Sequence, residues 1–169
     1  MNIENRSRIR YLLACMVIAT ALAYGSPAIA ADPDFTVVFP AGSACNFELQ
    51  IDGSGGNSHT RDFTDKNGNK VRTIAAGTGF GLRFTNVATL NTFSTRSNGA
   101  VSHITFNPDG SSTQTLTGHN ILFLFPTDNP PGPSTTLIVG RVVFTVDVNQ
   151  VFSVQAVSGN TTDICAALS

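Results

Sequence analysis

Val142-Val143-Phe144-Thr145-Val146-Asp147-Val148-Asn149 sets an apolar side chain at every second position. A period of two puts Val142, Phe144, Val146 and Val148 on one face and Val143, Thr145, Asp147 and Asn149 on the other, the pattern of a strand with one buried and one wet side. Cys45, Phe47, Leu49 and Ile51 alternate in the same way with Asn46, Glu48, Gln50 and Asp52, as do Phe80, Leu82 and Phe84 with Gly81, Arg83 and Thr85. Ile121-Leu122-Phe123-Leu124-Phe125 is apolar on both faces and predicts a central or doubly covered strand. Further strands are predicted at 34–39, 58–64, 69–75, 89–95, 100–106, 111–117, 135–139 and 150–157. Turn chemistry separates these runs at Gly53 to Gly56, Asn67-Gly68, Asn107-Pro108-Asp109-Gly110 and Ser158-Gly159-Asn160. Short strands at this spacing, without an amphipathic helical window, predict an all-β fold: a single antiparallel β-sandwich or small β-barrel. One helical turn is expected near Asp163 to Leu168.

The first thirty residues read differently. Arg6, Arg8 and Arg10 precede an apolar run from Tyr11 to Tyr24, and Ala28-Ile29-Ala30 places small residues where a signal peptidase reads them. The apolar run is too short to span a bilayer, so 1–30 is expected to be a signal peptide and 31–169 a secreted domain. Leu12-Leu13-Ala14-Cys15 is a weaker rival as a lipid-attachment motif, because the apolar run continues past Cys15. Removing Arg6, Arg8, Arg10 and Glu4 from ten basic and eleven acidic residues leaves seven against ten, a formal balance of −3. That balance argues against nucleic acid or an anionic lipid surface as partner. No membrane span is expected, and the secreted domain is expected to be a monomer.

Two cysteines follow the leader, Cys45 and Cys165. In an oxidising compartment a lone pair predicts a disulfide closing nearly the whole domain, and no Cys-x-x-Cys or Cys/His cluster favours metal or thiol chemistry instead.

Candidate chemistry is sparse. Asp52-Gly53-Ser54-Gly55-Gly56 only superficially resembles a serine-protease nucleophile loop, since Asp and Gly are transposed and no His stands in a matching context. His59, His103 and His119 lack metal-ligand spacing, so no metal and no cofactor is predicted. Asp65-Lys66-Asn67-Gly68-Asn69 resembles half a calcium loop without its distal Glu, and a hairpin turn explains the same residues. Arg61, Lys66, Lys70 and Arg72 interleave with Asp62 and Asp65 and read as a solvated edge, with partner docking as the alternative. Glu48 and Asp52, four apart on a strand, are separated by about 13 Å, beyond either glycosidase spacing. Trp is absent and both tyrosines lie in the leader, which disfavours a sugar-stacking carbohydrate module. Thr127 to Ser134 is a proline-stiffened connection, and Asn160-Thr161-Thr162 is a glycosylation sequon that is equally ordinary as a turn.

The segments RDFTDKNGNKVRTIAAGTG at 61–79, FNPDGSSTQTLTGHNILFLFPTD at 106–128 and DICAAL at 163–168 resemble small secreted bacterial proteins with a signal peptide and a two-cysteine all-β domain. That group has no activity to carry over; the resemblance implies a single exported domain.

The leading functional expectation is a secreted non-enzymatic β domain that binds an extracellular protein or a small apolar ligand through loops or a barrel mouth. The first alternative is a compact β-barrel enzyme whose His, Asp and Ser/Thr groups converge only in the fold, around His103, His119 and Asp109. The second is an inhibitor of an extracellular enzyme that uses the 127–134 loop.

Overall fold

The computed structural model describes residues 32–169; the signal-peptide and lipid-attachment readings concern residues that lie outside them. Ten strands and one helical turn form two antiparallel sheets. The four-stranded sheet has the order β1-β2-β5-β6, from β1 (Phe35–Phe39), β2 (Leu49–Ser54), β5 (Gly81–Asn86) and β6 (Thr92–Thr95). The six-stranded sheet runs β10-β9-β8-β7-β4-β3, from β3 (Asn57–Thr64), β4 (Lys70–Thr78), β7 (Gly99–Phe106), β8 (Ser112–Leu124), β9 (Ser134–Val146) and β10 (Phe152–Asp163). Both sheets are open, with β1, β6, β10 and β3 at their edges, so the choice between sandwich and barrel resolves to a two-sheet sandwich.

The alternation read from the sequence builds two cores. Leu49 and Ile51 of β2 and Phe84 of β5 point inward against Ile121 and Phe123 of β8 and Leu137 of β9, and this layer joins the sheets. On the opposite face of β8 and β9, Leu122, Leu124, Ile138, Val142, Phe144 and Val146 form a second cluster with Leu116, Phe152 and Val154. The apolar run 121–125 is therefore covered on both faces, as its composition requires.

The disulfide Cys45–Cys165 links the β1–β2 connection to the C-terminal turn α1 (Ile164–Ala167) across 120 residues, with Cα atoms 5.6 Å apart. Asp163 caps α1 by accepting a hydrogen bond from Ala166 N at 3.0 Å. Ile164 and Leu168 are fully buried in the inter-sheet core, and Asn86 Nδ2 donates to the Leu168 carbonyl at 3.2 Å. Thr135 Oγ1 donates to Ala44 O at 2.9 Å, so β9 fixes the loop that carries Cys45.

Three expectations need correction. Cys45 to Phe47 are not strand, because that stretch turns to bring Cys45 against α1, and β2 begins at Leu49. Ser158-Gly159-Asn160 is not a turn: β10 runs through it, with Gly159 opposite Gly140. The separate strands predicted at 111–117 and 121–125, and at 135–139 and 142–148, are the single strands β8 and β9. The false breaks within β8, β9 and β10 fall at glycines that lie in one line across the sheet, where Gly159 faces Gly140, Gly140 faces Gly118, Gly118 faces Ala100, and Ala100 faces Gly77. A Cβ on Gly140 would strike the Ser158 carbonyl, and one on Gly118 the Gly99 carbonyl. Glycine here lets neighbouring backbones close in without ending the ladder.

Three hairpin turns share one end of the six-stranded sheet and one geometry. Asp65 N bonds Asn69 O, Asn107 N bonds Ser111 O and Asp147 N bonds Val151 O, each across a three-residue loop. The residue before the closing position has positive φ in each, at Gly68, Gly110 and Gln150.

Candidate functional site

The edge strand β1 makes the feature that best fits a binding site. Phe35, Val37 and Phe39 line a cavity of about 160 Å³ together with Ile51, Leu82 and Phe123. It lies between the four-stranded sheet and β8, with no polar residue in its wall. Phe35 meets Phe80 edge-on with ring centroids 5.0 Å apart, and Phe39 sits 5.4 Å from Phe123, so rings frame both ends of β1. Val37 is 42% exposed, which leaves the cavity open at the sheet edge. Larger clefts are mixed in character: one of about 260 Å³ beside the disulfide includes Asn46, Asp163 and Pro133, and one of about 390 Å³ beside two hairpin turns includes Asp65, Asn69 and Lys70.

On the outer face of the same sheet, Asp52 is 6% exposed and is held by two cross-strand partners and by Gln50 of its own strand. Arg83 Nη2 donates to Oδ2 at 2.8 Å, Thr36 Oγ1 to Oδ1 at 2.8 Å and Gln50 Nε2 to Oδ1 at 3.0 Å. Burial pushes its pKa up, but the hydrogen bonds from Arg83, Thr36 and Gln50 outweigh that and hold the carboxyl below its ordinary range. This carboxylate is a structural clasp, fully engaged by its neighbours.

The register spreads the three residues named for an enzyme site. His103 of β7 faces Thr115 of β8, and His119 lies four residues further along β8, about 13 Å away. Asp109 occupies the turn before Ser112, and its distance from His119 along the strand is about 23 Å. Its Oδ1 accepts from Ser111 Oγ at 2.7 Å and Ser111 N at 2.9 Å, hydrogen bonds that lower its pKa and tie it to its own turn. The fold does not bring the three together. His59 stands on β3, and among the described residues no group of three or more His, Cys, Asp or Glu side chains is placed to hold a metal.

Asp65, the first residue of the calcium-like loop, accepts from Asn67 N at 2.8 Å and from Asn69 N at 2.9 Å. Bonds from the Asn69 side chain and backbone lead in lowering its pKa. The loop is the expected hairpin turn. The 127–134 connection does not project freely: Asp128 is buried and accepts from Phe125 N at 2.7 Å and Phe152 N at 2.9 Å, pinning the loop to the ends of β8 and β10.

The apolar cavity is not among the features read from the sequence. Its signal is in FTVVF, whose neighbouring Val37 and Val38 leave an edge strand apolar on both faces. Among the described residues no helix is long and apolar enough to cross a membrane. Comparison with known proteins returned no matching family model, curated protein or solved structure.

Proposed function

We propose that this protein is an exported, non-enzymatic binding domain that takes a small apolar ligand in the cleft between β1 and β8. The observation that carries the reading is the wholly apolar wall of that cavity, open at Val37. Such a wall offers no nucleophile, acid or base, so it suits capture of a ligand rather than its conversion. At about 160 Å³ the space matches one aromatic ring or a short alkyl segment, since an apolar cavity near 150 Å³ accommodates benzene. Export is supported by the disulfide together with the leader pattern in residues 1–30.

The test is an NMR titration of the oxidised protein with toluene. Saturable shifts confined to β1, Leu82 and Phe123, lost in Val37→Asp, are the expected result. Absence of saturation up to the solubility of toluene, or equal shifts in Val37→Asp, rejects the reading.

A further inference from the structure

The six-stranded sheet sorts its charges by face. Along the β3–β4 hairpin acidic and basic residues interleave, but the register sends Arg61, Phe63 and Arg72 to one side and Asp62, Thr73 and Lys70 to the other. The hairpin is therefore a mixed-charge edge along the sequence, but in space its two arginines part from Asp62, which keeps Lys70 as its ion-pair partner on the other side. The arginine side continues onto His103 and Thr105 of β7, Thr113, Thr115 and Thr117 of β8, and Arg141 of β9, and His59 also faces that way. On this face of β3, β4, β7, β8 and β9 no strand residue is Asp or Glu. Neither hydrophobic cluster includes its residues on the arginine side of the glycine line, and His59, Arg61, Thr105 and Arg141 are exposed.

Two arginines share one ring. The Arg72 guanidinium carbon lies 4.2 Å and that of Arg61 5.1 Å from the centre of Phe63. Stacking occupies the flat faces of the guanidinium groups and leaves their N–H edges for an anion. Among the described residues neither arginine has a carboxylate partner. Arg72 Nε and His103 Nε2 are covered and without hydrogen-bond partners, and the register makes these residues diagonal neighbours, Arg72 facing Thr105 two residues from His103. Buried polar groups without partners are uncommon, and an ordered water or an ion is what satisfies them. The turn carboxylates Asp65 and Asp109 accept hydrogen bonds within their own loops, and Asp62 is on the other face.

We propose that this face binds a sulfated polysaccharide, with sulfate groups taken by Arg61, Arg72 and the flanking histidines and sugar hydroxyls by the threonine rows. Charge complementarity selects a polyanion, and the array of Thr105, Thr113, Thr115 and Thr117 beside the cations selects one rich in hydroxyl groups. Phe63, the only phenyl ring on this face of these five strands before the glycine line, is covered by both guanidinium groups and is not free to stack a nucleobase. The five strands span about 20 Å, room for several sugar rings. The balance of −3 over residues 31–169 does not oppose this, because the acidic residues lie on the other sheet, the other face or outside the strands.

The test is calorimetric titration of the oxidised protein at low salt with dextran sulfate, neutral dextran and an oligo-dT of matched charge. Expected are saturable binding of dextran sulfate that weakens with added salt, none to neutral dextran, and at least tenfold weaker binding to oligo-dT. Arg61→Gln with Arg72→Gln should cost at least tenfold in affinity, and Arg61→Gln alone, at an exposed edge position, severalfold. Lys70→Gln, on the other face beside Asp62 and Phe106, should stay within twofold. No binding of dextran sulfate, oligo-dT binding as tight, Arg61→Gln without effect, or an equal loss in Lys70→Gln each overturns the proposal.

Discussion

Gly118 of β8 faces Gly140 of β9 directly in the ladder, and both carry positive φ in mid-strand, +94° and +158°. With Gly77 and Gly159 they let five strands cross one line of close backbone approach. Gly140→Ala drives a Cβ into the Ser158 carbonyl, which belongs to backbone and cannot swing aside. We expect a loss of more than about 2 kcal/mol, read as a lower midpoint in urea unfolding. An unchanged midpoint would show that the strands can separate there at little cost.

That line also marks the limit of what the sequence discloses. Alternation in Val142 to Val146 and the double-faced run Ile121 to Phe125 specify strands and cores, because burial acts on each side chain locally. Gly118, Gly140 and Gly159 read as breaks because a lone glycine signals both a turn and a close approach, and only the partner strand distinguishes them. The disulfide is legible since residues 31–169 hold two cysteines and so one pairing. The cavity beside β1 and the charge sorting between faces are not, because both depend on which strands become neighbours.

Gln150 occupies the position that Gly68 and Gly110 hold in the two equivalent turns, with φ of +64°. A Cβ in the left-handed region is disfavoured, so Gln150→Gly relieves it, partly offset by the added freedom of the unfolded chain. A net gain of about 0.5–1 kcal/mol is expected, and a thermal midpoint higher by about 2–5 °C. Calorimetry that finds a lower midpoint would mean that Gln150 makes a compensating contact.

Cys45→Ser or Cys165→Ser opens a loop of 120 residues. The chain-entropy account assigns such a bridge about 4–5 kcal/mol. The unfolding midpoint should fall markedly under oxidising conditions and change little in reductant; equal midpoints without reductant would remove the disulfide from the account of stability.

Asp52 gives the pH dependence its sign. Its folded pKa is depressed, so the unfolded chain binds the proton first, and the stability it contributes is complete above the ordinary carboxyl range near ~4. As pH falls through the folded value, that contribution disappears. Asp52→Asn should therefore destabilise the protein at pH 7 and converge with the parent at the acid end of the scale, because the clasp that Arg83, Thr36 and Gln50 make depends on the ionised form. Urea midpoints for parent and variant, followed from neutral pH down to about pH 2, separate the two contributions. A constant gap over that range would mean that the amide in the Asp52→Asn variant fails through packing or hydrogen-bond geometry, whereas a gap that closes in acid assigns the loss to the carboxylate charge.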